Sequence, residues 1–309
     1  MNISREDVEP ILNKYCDREF EKINNIDFPP LREHPITEKN MTDEFDRLVK
    51  RDDFKLSNVG GSKIISYFHP SIIKANRHSY LSPYDYWQKL KTDKNLFRRF
   101  YSNRLRCSDW FKEHDNMKYI QEGYVPDFIY GIGLSTSKTA PKVSVFSPKL
   151  AKTLIVRYLA DCDTVFDPFS GFSGRMLGTM ASGKKYIGQD LNAEHIDESN
   201  KIVSFLKDNG KAFKDPVLKV MDIFDDGRNE YDSLFTCSPY GNKEIWNGDG
   251  DKDLTCEQWI DICLEKYKCK KYLFVTDGSC GKYKGFAVDE IVNTSHFSVN
   301  KEYIILICR

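Results

Sequence analysis

Between residues 141 and 309, short runs of apolar residues alternate with longer segments in which apolar residues recur every three or four positions. The short runs predict buried strands that end near Phe166, Gln189, Met221, Thr236 and Val275. The longer segments predict helices that begin near residues 147, 175, 193 and 255. A further helix is predicted at 288–292, followed by two strands at 296–299 and 303–307. This alternation of strands and helices predicts an α/β fold with a mostly parallel sheet.

Residues 1–140 show a different pattern, with helical spacing of apolar residues at 8–23, 42–50 and 84–90. Residues 27–42 are polar and rich in proline, which predicts an extended connection. Gly, Ser, Thr and Pro at 123–140 predict a link between two parts of the chain. We therefore expect a mostly helical region at 1–140 and an α/β domain at 141–309.

The segment 63–106 combines basic and aromatic residues, with ten Lys or Arg, two Asp and nine Tyr, Phe or Trp. Cationic side chains neutralise phosphates, and exposed aromatic rings stack on bases. The candidate nucleic-acid-binding residues are Lys89, Lys91, Arg98, Arg99 and Arg104. The alternative interpretation is an amphipathic helix with its aromatic rings turned inward and its arginines in solvent.

Residues 164–192 contain the strongest local motif of the chain. Asp167-Pro168-Phe169 ends a predicted strand, residues 170–174 form a glycine-bearing turn, and Asp190 ends the next predicted strand. A strand, a glycine-bearing turn, a helix and a strand ending in an acid form the plan of a nucleotide-binding unit. The motif by itself also fits a Rossmann-like loop for a nucleotide of another kind.

Asp167, Pro168, Phe169 and Gly171 resemble the D-P-F-x-G-x-G motif of S-adenosylmethionine-dependent DNA amino-methyltransferases. Ser173 stands at the family's second glycine, and the adjacent Gly174 suggests a turn shifted by one residue. The resemblance implies S-adenosylmethionine (SAM) as cofactor and a Rossmann-like methyltransferase sheet that closes with an antiparallel hairpin. The cofactor-binding residues that it implies are Ser147, Lys149, Asp167, Pro168, Phe169, Gly171, Gly174, Asp190 and Asp222.

Cys237-Ser238-Pro239-Tyr240 follows the fourth predicted strand and resembles the family's [D/N/S]-P-P-[Y/F] catalytic motif. In that motif, hydrogen-bond acceptors activate the amino group of a base, and the aromatic ring stacks on the base after it has flipped out of the duplex. A thiol is a weak acceptor, so activation would depend more on Ser238. Two alternatives stay open: Cys237 acts as a nucleophile toward carbon 5 of a pyrimidine, or the loop belongs to an inactive relative.

The resemblance implies a DNA methyltransferase of the kind found in restriction-modification systems, with adenine N6 slightly favoured over cytosine N4. An RNA methyltransferase and an inactive, SAM-binding and nucleic-acid-binding paralogue are the alternatives. We expect residues 1–140 to recognise the target, whereas the recognition sequence and the oligomeric state stay open.

Composition and charge set the remaining expectations. The 46 basic and 46 acidic residues give a formal net charge of +0, which neither favours nor excludes a polyanionic partner. No apolar run approaches the ~20 residues that span a membrane, and the first residues are polar, so we expect a cytoplasmic protein with no membrane partner. The nine cysteines include no C-x-x-C pair, which predicts reduced thiols and no metal site.

Overall fold

A computed structural model describes residues 5–56, 60–77, 80–107, 122, 125–225, 227, 229–237, 244–245, 254–277, 280–295 and 298–308. The chain divides into two compact units, and each of them is built from two stretches of sequence. Unit 1 comprises Met1–Pro35 and Ile73–Val143, and unit 2 comprises Ile36–Ile72 and Ser144–Arg309. No described helix is both long enough and apolar enough to span a membrane.

The described helices are α1 (Arg5–Asn24), α2 (Glu38–Val49), α3 (Lys63–Phe68), α4 (Pro83–Thr92), α5 (Lys94–Cys107), α6 (Asp127–Ser135), α7 (Pro148–Tyr158), α8 (Gly174–Ala181), α9 (Ala193–Asp208) and α10 (Cys256–Lys266). The strands of the large sheet are β1 (Thr164–Asp167), β2 (Lys185–Asp190), β3 (Val217–Val220), β4 (Asn229–Cys237), β5 (Tyr267–Asp277), β6 (Ala287–Ser295) and β7 (Ser298–Cys308). Short 3-10 helices lie at Pro70–Ile73 and Gly281–Phe286, and two-residue strands at Asn76–Arg77 and Glu244–Ile245.

Unit 2 is built on a 7-stranded sheet with the strand order β3-β2-β1-β4-β5-β7-β6. The first five strands in this order are parallel, and β7 is antiparallel to both β5 and β6. The chain order reverses between β1 and β4, and ligands of open parallel sheets bind outside the carboxyl ends of the strands at such a point. The predicted α/β class, the mostly parallel sheet and the antiparallel closing hairpin are confirmed.

The end of the sheet differs from the sequence prediction in two ways. Residues 298–299 and 303–307, predicted in two separate strands, belong to the single strand β7, which forms the closing hairpin with β6. The helix predicted at 288–292 is wrong, because these residues belong to strand β6. The segment is rich in β-branched residues, and from Asp289 onward each residue pairs with β7 in a ladder that continues to Ser295, after a bulge at Val288. Cross-strand pairing of this length outweighs a weak helical spacing in five residues.

Residues 36–72 fold with the sheet of unit 2, although they precede it by about a hundred residues and lie N-terminal to the predicted boundary at 140/141. Helix α2 begins at a capping box formed by Thr37 and Asn40, five residues before the predicted start. The buried ammonium group of Lys152 on α7 donates to the carbonyls of Leu48, Val49 and Arg51. These bonds satisfy the free carbonyls at the C-terminal end of α2 and connect this helix to α7.

Unit 1 has a core of aromatic residues from α4, α5 and α6. Trp87, Phe97, Tyr101 and Tyr130 are fully buried, and Phe100 is 6% exposed. The prediction that aromatic rings of the segment 63–106 stack on bases is therefore wrong for Trp87, Phe97, Phe100 and Tyr101. A helix with aromatic residues at three- and four-residue spacing buries its aromatic face, because each buried ring removes a large apolar area from water.

Two of the nine cysteines form a disulfide, which corrects the expectation that all thiols are reduced. Cys256 at the start of α10 pairs with Cys280, which follows β5, and their Cα atoms lie 6.0 Å apart. Both residues are buried in the cluster beneath α10. The spacing of 24 residues follows no sequence motif, and only the fold brings the two side chains together.

Candidate active site at the carboxyl edge of the sheet

Asp167, the last residue of β1, is fully buried and joins three strands at the carboxyl edge of the sheet. Its carboxylate accepts hydrogen bonds from Arg175 Nε at 2.7 Å, Thr236 Oγ1 at 2.7 Å, Tyr186 Oη at 2.9 Å and the Phe169 amide at 3.2 Å. Thr236 lies near the end of β4 and Tyr186 lies on β2. The side chain of Asp167 therefore positions the loops that leave β1 and β4, and it presents no surface to solvent.

Arg175 is the cation that balances this buried carboxylate. Its guanidinium group is 7% exposed, donates to the carbonyl of Phe169 and lies 5.3 Å from the centre of the Phe146 ring. Burial opposes the charge, but Asp167 beside it raises the pKa of Arg175 above its ordinary value. The Arg175–Asp167 pair thus fixes the Asp-Pro-Phe bend from both sides, through the carboxylate and through a loop carbonyl.

The loop between β1 and α8 contains two residues with left-handed backbone. Gly171 has φ 52° and Ser173 has φ 61°. The left-handed residue at the second motif position is thus Ser173 itself, whereas Gly174 begins α8, so the turn is not shifted toward Gly174. A side chain in this conformation costs about 1–2 kcal/mol. Gly174 has another role, because a Cβ there would lie 2.0 Å from the carbonyl oxygen of Phe146.

A buried polar network that sequence analysis missed surrounds Ser173. The Ser173 hydroxyl lies 2.7 Å from His69 Nε2 and 2.6 Å from Ser199 Oγ. His69 Nδ1 lies 2.7 Å from Glu198 Oε2, and the Ser71 amide donates to Glu198 Oε1 at 3.1 Å. We call these five residues the His69 network. The available signal was a serine at a glycine position, which needs a side-chain partner to remain there.

Asp190 ends β2 and faces the same loop. Its carboxylate accepts from the Gly171 amide at 2.7 Å and the Asn192 amide at 2.9 Å, and His195 Nδ1 lies 3.5 Å away. Burial would raise the pKa of Asp190, but the nearby His195 and the hydrogen bonds from these two amides outweigh it and lower the pKa. The side chain is 15% exposed. Each carboxylate oxygen keeps a lone pair that can accept a hydrogen bond from a ligand.

Asp222 follows β3 on the same side of the sheet. The Met221 amide donates to the Asp190 carbonyl at 3.0 Å, so the two acids follow strands that are joined at their ends. The carboxylate of Asp222 accepts from the Phe224 amide at 2.9 Å and is partly exposed. Leu191 is 57% exposed and Val220 is 52% exposed, so apolar surface lies next to both acids.

Ser147 and Lys149 lie at the start of α7, and the Ser147 side chain has structural partners. Its hydroxyl caps the helix at the Leu150 amide, 3.3 Å away, and exchanges hydrogen bonds with the backbone of Gly60. Lys149 is partly exposed beside Gly60. Their assignment to the cofactor stays a prediction.

The loop expected to hold SAM contains a buried hydroxyl group that is available to a polar ligand. Ser170 lies in the loop after Asp167 and is 3% exposed, and its hydroxyl has no hydrogen-bond partner among the residues that the structure describes. A buried hydroxyl of this kind normally has a partner. Pro168 and Phe169 complete the bend, and the Phe169 ring packs edge-on against Trp259 at 5.2 Å. A polar ligand at the loop would supply the missing partner.

The predicted catalytic loop begins at the end of β4. Cys237 is the last residue of this strand, is partly buried and pairs with Val275 of β5. The bond from Thr236 to Asp167 makes the exits of β1 and β4 neighbours. Ser238, Pro239 and Tyr240 lie outside the described residues.

The predicted nucleic-acid-binding residues of unit 1 fall into two groups. Lys89 and Arg99 are exposed. Arg98 contacts Glu9 at 2.5 Å and Asn13 at 2.7 Å, and Lys91 donates to the Asp27 carbonyl at 3.5 Å. Arg104 packs over the Phe100 ring, 5.5 Å from its centre. Their role in binding stays a prediction.

Comparisons with known proteins give structural likeness alone. No protein-family model and no curated protein sequence matches the chain. The magnesium protoporphyrin IX methyltransferase of Synechocystis PCC 6803, solved with bound SAM, is 10% identical with a TM-score of 0.37, over 66% of this chain and 96% of that one. TrmN from Thermus thermophilus is 14% identical with a TM-score of 0.34, over 53% of this chain and 49% of that one. Likeness at this level supports no conclusion about reaction or substrate.

Proposed function

We propose that this protein transfers a methyl group from SAM to the exocyclic amino group of a base in DNA, with adenine N6 favoured over cytosine N4. The observation that carries the proposal is the hydrogen bond from Thr236 to Asp167. It joins the two strand ends from which the Asp-Pro-Phe bend and the Cys-Ser-Pro-Tyr segment begin. A methyl donor and a methyl acceptor must occupy adjacent pockets for direct transfer, and neighbouring strand ends meet this need.

The cofactor pocket is assigned from the exposed atoms at the ends of β1, β2 and β3. Asp190 accepts the ribose hydroxyls, because its carboxylate is held ionised and keeps free lone pairs. Asp222 accepts the adenine amino group, and Leu191 and Val220 provide the apolar surface beside that ring. Ser170 and the backbone near Gly171 contact the polar methionine end.

The pocket for the target base is proposed to lie in the segment that follows β4. When bound, SAM supplies an electrophilic methyl group on its sulfonium sulfur. The lone pair of the amino nitrogen would attack this carbon as the carbon–sulfur bond breaks, S-adenosylhomocysteine would be the leaving group, and the extra amine proton would pass to solvent. The carbonyl of Ser238 accepts a hydrogen bond from the amine, which draws the lone pair out of the ring system. Tyr240 stacks on the extruded base.

Labelled-methyl transfer tests this function directly. Purified protein is incubated with methyl-tritiated SAM and, in separate reactions, with unmethylated DNA or RNA, followed by nucleoside analysis. Label on deoxyadenosine or deoxycytidine supports the proposal and identifies the methylated atom. Label on RNA alone would replace DNA by RNA as the substrate. SAM binding without transfer to either would mean an inactive paralogue.

The variant Tyr240→Ala separates the base pocket from the cofactor pocket. We expect transfer to be abolished while SAM affinity stays within about twofold, because the proposal assigns the lost ring to the base and not to SAM. Tyr67→Ala is the matched control, since Tyr67 is 51% exposed on α3 and outside both proposed pockets. Equal loss of transfer and SAM affinity in Tyr240→Ala would contradict the stacking role.

A further inference from the structure

We propose that His69 is a positioning residue for the cofactor loop, because it holds Ser173 in the left-handed conformation that gives the loop its shape. This inference rests on the proposed function, since the loop is the one assigned to SAM. His69 is fully buried, so none of its atoms is exposed to either proposed pocket. Its action is therefore transmitted through the Ser173 hydroxyl.

The loop depends on a side-chain contact at residue 173. Among the described residues, Ser173 is the only one other than glycine that has a positive φ. Its hydroxyl does not cap α8, although Ser173 stands at the N-cap position of that helix. The hydroxyl instead contacts His69 Nε2 at 2.7 Å and Ser199 Oγ at 2.6 Å. Both contacts are buried, so water cannot easily replace them.

The imidazole of His69 is itself held from its other nitrogen. Glu198 on α9 accepts from His69 Nδ1 at 2.7 Å, and it also accepts from the amide and hydroxyl of Ser71. An ionised Glu198 selects the tautomer with a proton on Nδ1, which leaves Nε2 to accept from the Ser173 hydroxyl. The Phe172 ring packs edge-on against the imidazole at 5.6 Å. The His69 network therefore anchors the loop to α9.

The anchored residue lies two positions from the residue that contacts Asp190. Gly171 donates its amide to Asp190 at 2.7 Å, and Ser173 precedes α8. If Ser173 returned to a common backbone conformation, the direction of the Gly171 amide and of the intervening peptide would change. SAM binding would then have to reorder the loop, and the free-energy cost of this reordering would lower the affinity.

Two substitutions of His69 separate positioning from general stability. His69→Asn places an amide nitrogen near Nδ1, which keeps the bond to Glu198 and removes the one to Ser173. His69→Gln places polar atoms near Nε2, which keeps the bond to Ser173 and removes the one to Glu198. Each variant is made in the wild-type protein and in Ser173→Gly, and SAM affinity is measured by calorimetry beside thermal unfolding.

We expect both variants to lower the unfolding temperature by similar amounts, because each loses one buried hydrogen bond. Only His69→Asn should weaken SAM binding, by about tenfold. In Ser173→Gly, which adopts positive φ without help, His69→Asn should leave the affinity unchanged within about twofold. Equal weakening by both His69 variants, or tenfold weakening by His69→Asn in the Ser173→Gly protein, would overturn the proposal.

Failure of the proposed function would be recognised separately. If wild-type protein binds no SAM, the proposed cofactor is wrong, and thermal unfolding still decides whether His69 holds Ser173. A smaller effect of His69→Asn on the unfolding temperature in Ser173→Gly than in wild type supports the contact. The same effect in both backgrounds refutes it.

Discussion

The carboxyl edge of the sheet in unit 2 and helix α5 in unit 1 both carry arginines paired with acids, but the pairs have different surroundings. Arg175 and Asp167 are 7% and 0% exposed and have further partners on two strands and a loop. Arg98 and Glu9 are 33% and 46% exposed and join α5 to α1 over an aromatic core. A buried pair determines loop geometry, whereas an exposed pair leaves its cation able to exchange partners.

We expect the largest difference between the two pairs in unfolding free energy, when each arginine is replaced by methionine. Arg175→Met leaves the Asp167 charge buried without its cation, and we expect a loss of about 3–5 kcal/mol of unfolding free energy. Arg98→Met should lose less than about 1 kcal/mol, because solvent screens the exposed pair. Urea unfolding of both variants measures the two values. Similar losses would show that burial does not distinguish the two pairs in their contribution to stability.

Asp190→Ala tests the proposed contact between the carboxyl edge of the sheet and the ribose of SAM. Loss of two hydrogen bonds between a carboxylate and ribose hydroxyls should weaken SAM binding about 100-fold, or about 2.7 kcal/mol. Asp197→Ala is the control, because Asp197 on α9 pairs with Lys201 in solvent and its side chain is 66% exposed. Calorimetric titration measures both affinities. An unchanged affinity in Asp190→Ala would exclude the ribose role.

Acid should destabilise the His69 network in two steps. Burial lowers the pKa of His69 below its ordinary value, although its hydrogen bond with Glu198 opposes the shift and Asp190 and His195 also face it. The neutral form is thus favoured in the fold, and its stabilisation is lost as the pH falls below the ordinary histidine pKa of about 6.5. Hydrogen bonds lower the pKa of Glu198 despite burial, so a second loss begins below about 4.5.

Thermal unfolding between pH 8 and pH 5 measures the first of these losses. Wild-type protein should show a falling unfolding temperature below about pH 6.5, and His69→Asn should show a smaller fall over the same range. The Glu198 loss begins below this pH range, so it does not enter the comparison of the two proteins. Identical pH dependence in the two proteins would show that His69 is not the titrating group.

Single exposed cations of unit 1 should have the smallest effects. Arg99→Ala should weaken DNA binding a few-fold and lower the slope of log affinity against log salt by about 1, with almost no change in stability. Lys268→Ala is the control, because Lys268 lies in unit 2, is 78% exposed and pairs with Glu230. Fluorescence anisotropy at several salt concentrations measures both slopes. Equal slopes for the two variants would remove Arg99 from the proposed nucleic-acid surface.

Sequence patterns predicted the sheet better than they predicted the surroundings of the site. Strand ends place Asp167, Asp190 and Cys237 at one edge, because the carboxyl ends of parallel strands meet there. The partners of Ser173 could not be predicted, since His69 is 104 residues away and has no characteristic spacing from it. Helix α5 presents a related problem, because its sequence shows an amphipathic pattern but not whether the aromatic face packs inward or binds a ligand.

The order in which the chain leaves the ribosome has a consequence for unit 2. Helices α2 and α3 and His69 emerge early, whereas Ser173 follows 104 residues later and the sheet is finished only with β7. His69, α2 and α3 therefore lack their final packing partners until the second stretch of unit 1, Ile73–Val143, has been synthesised. A shortened protein that starts at residue 141 would contain every strand of the large sheet but would lack His69, which contacts Ser173 in the loop before α8.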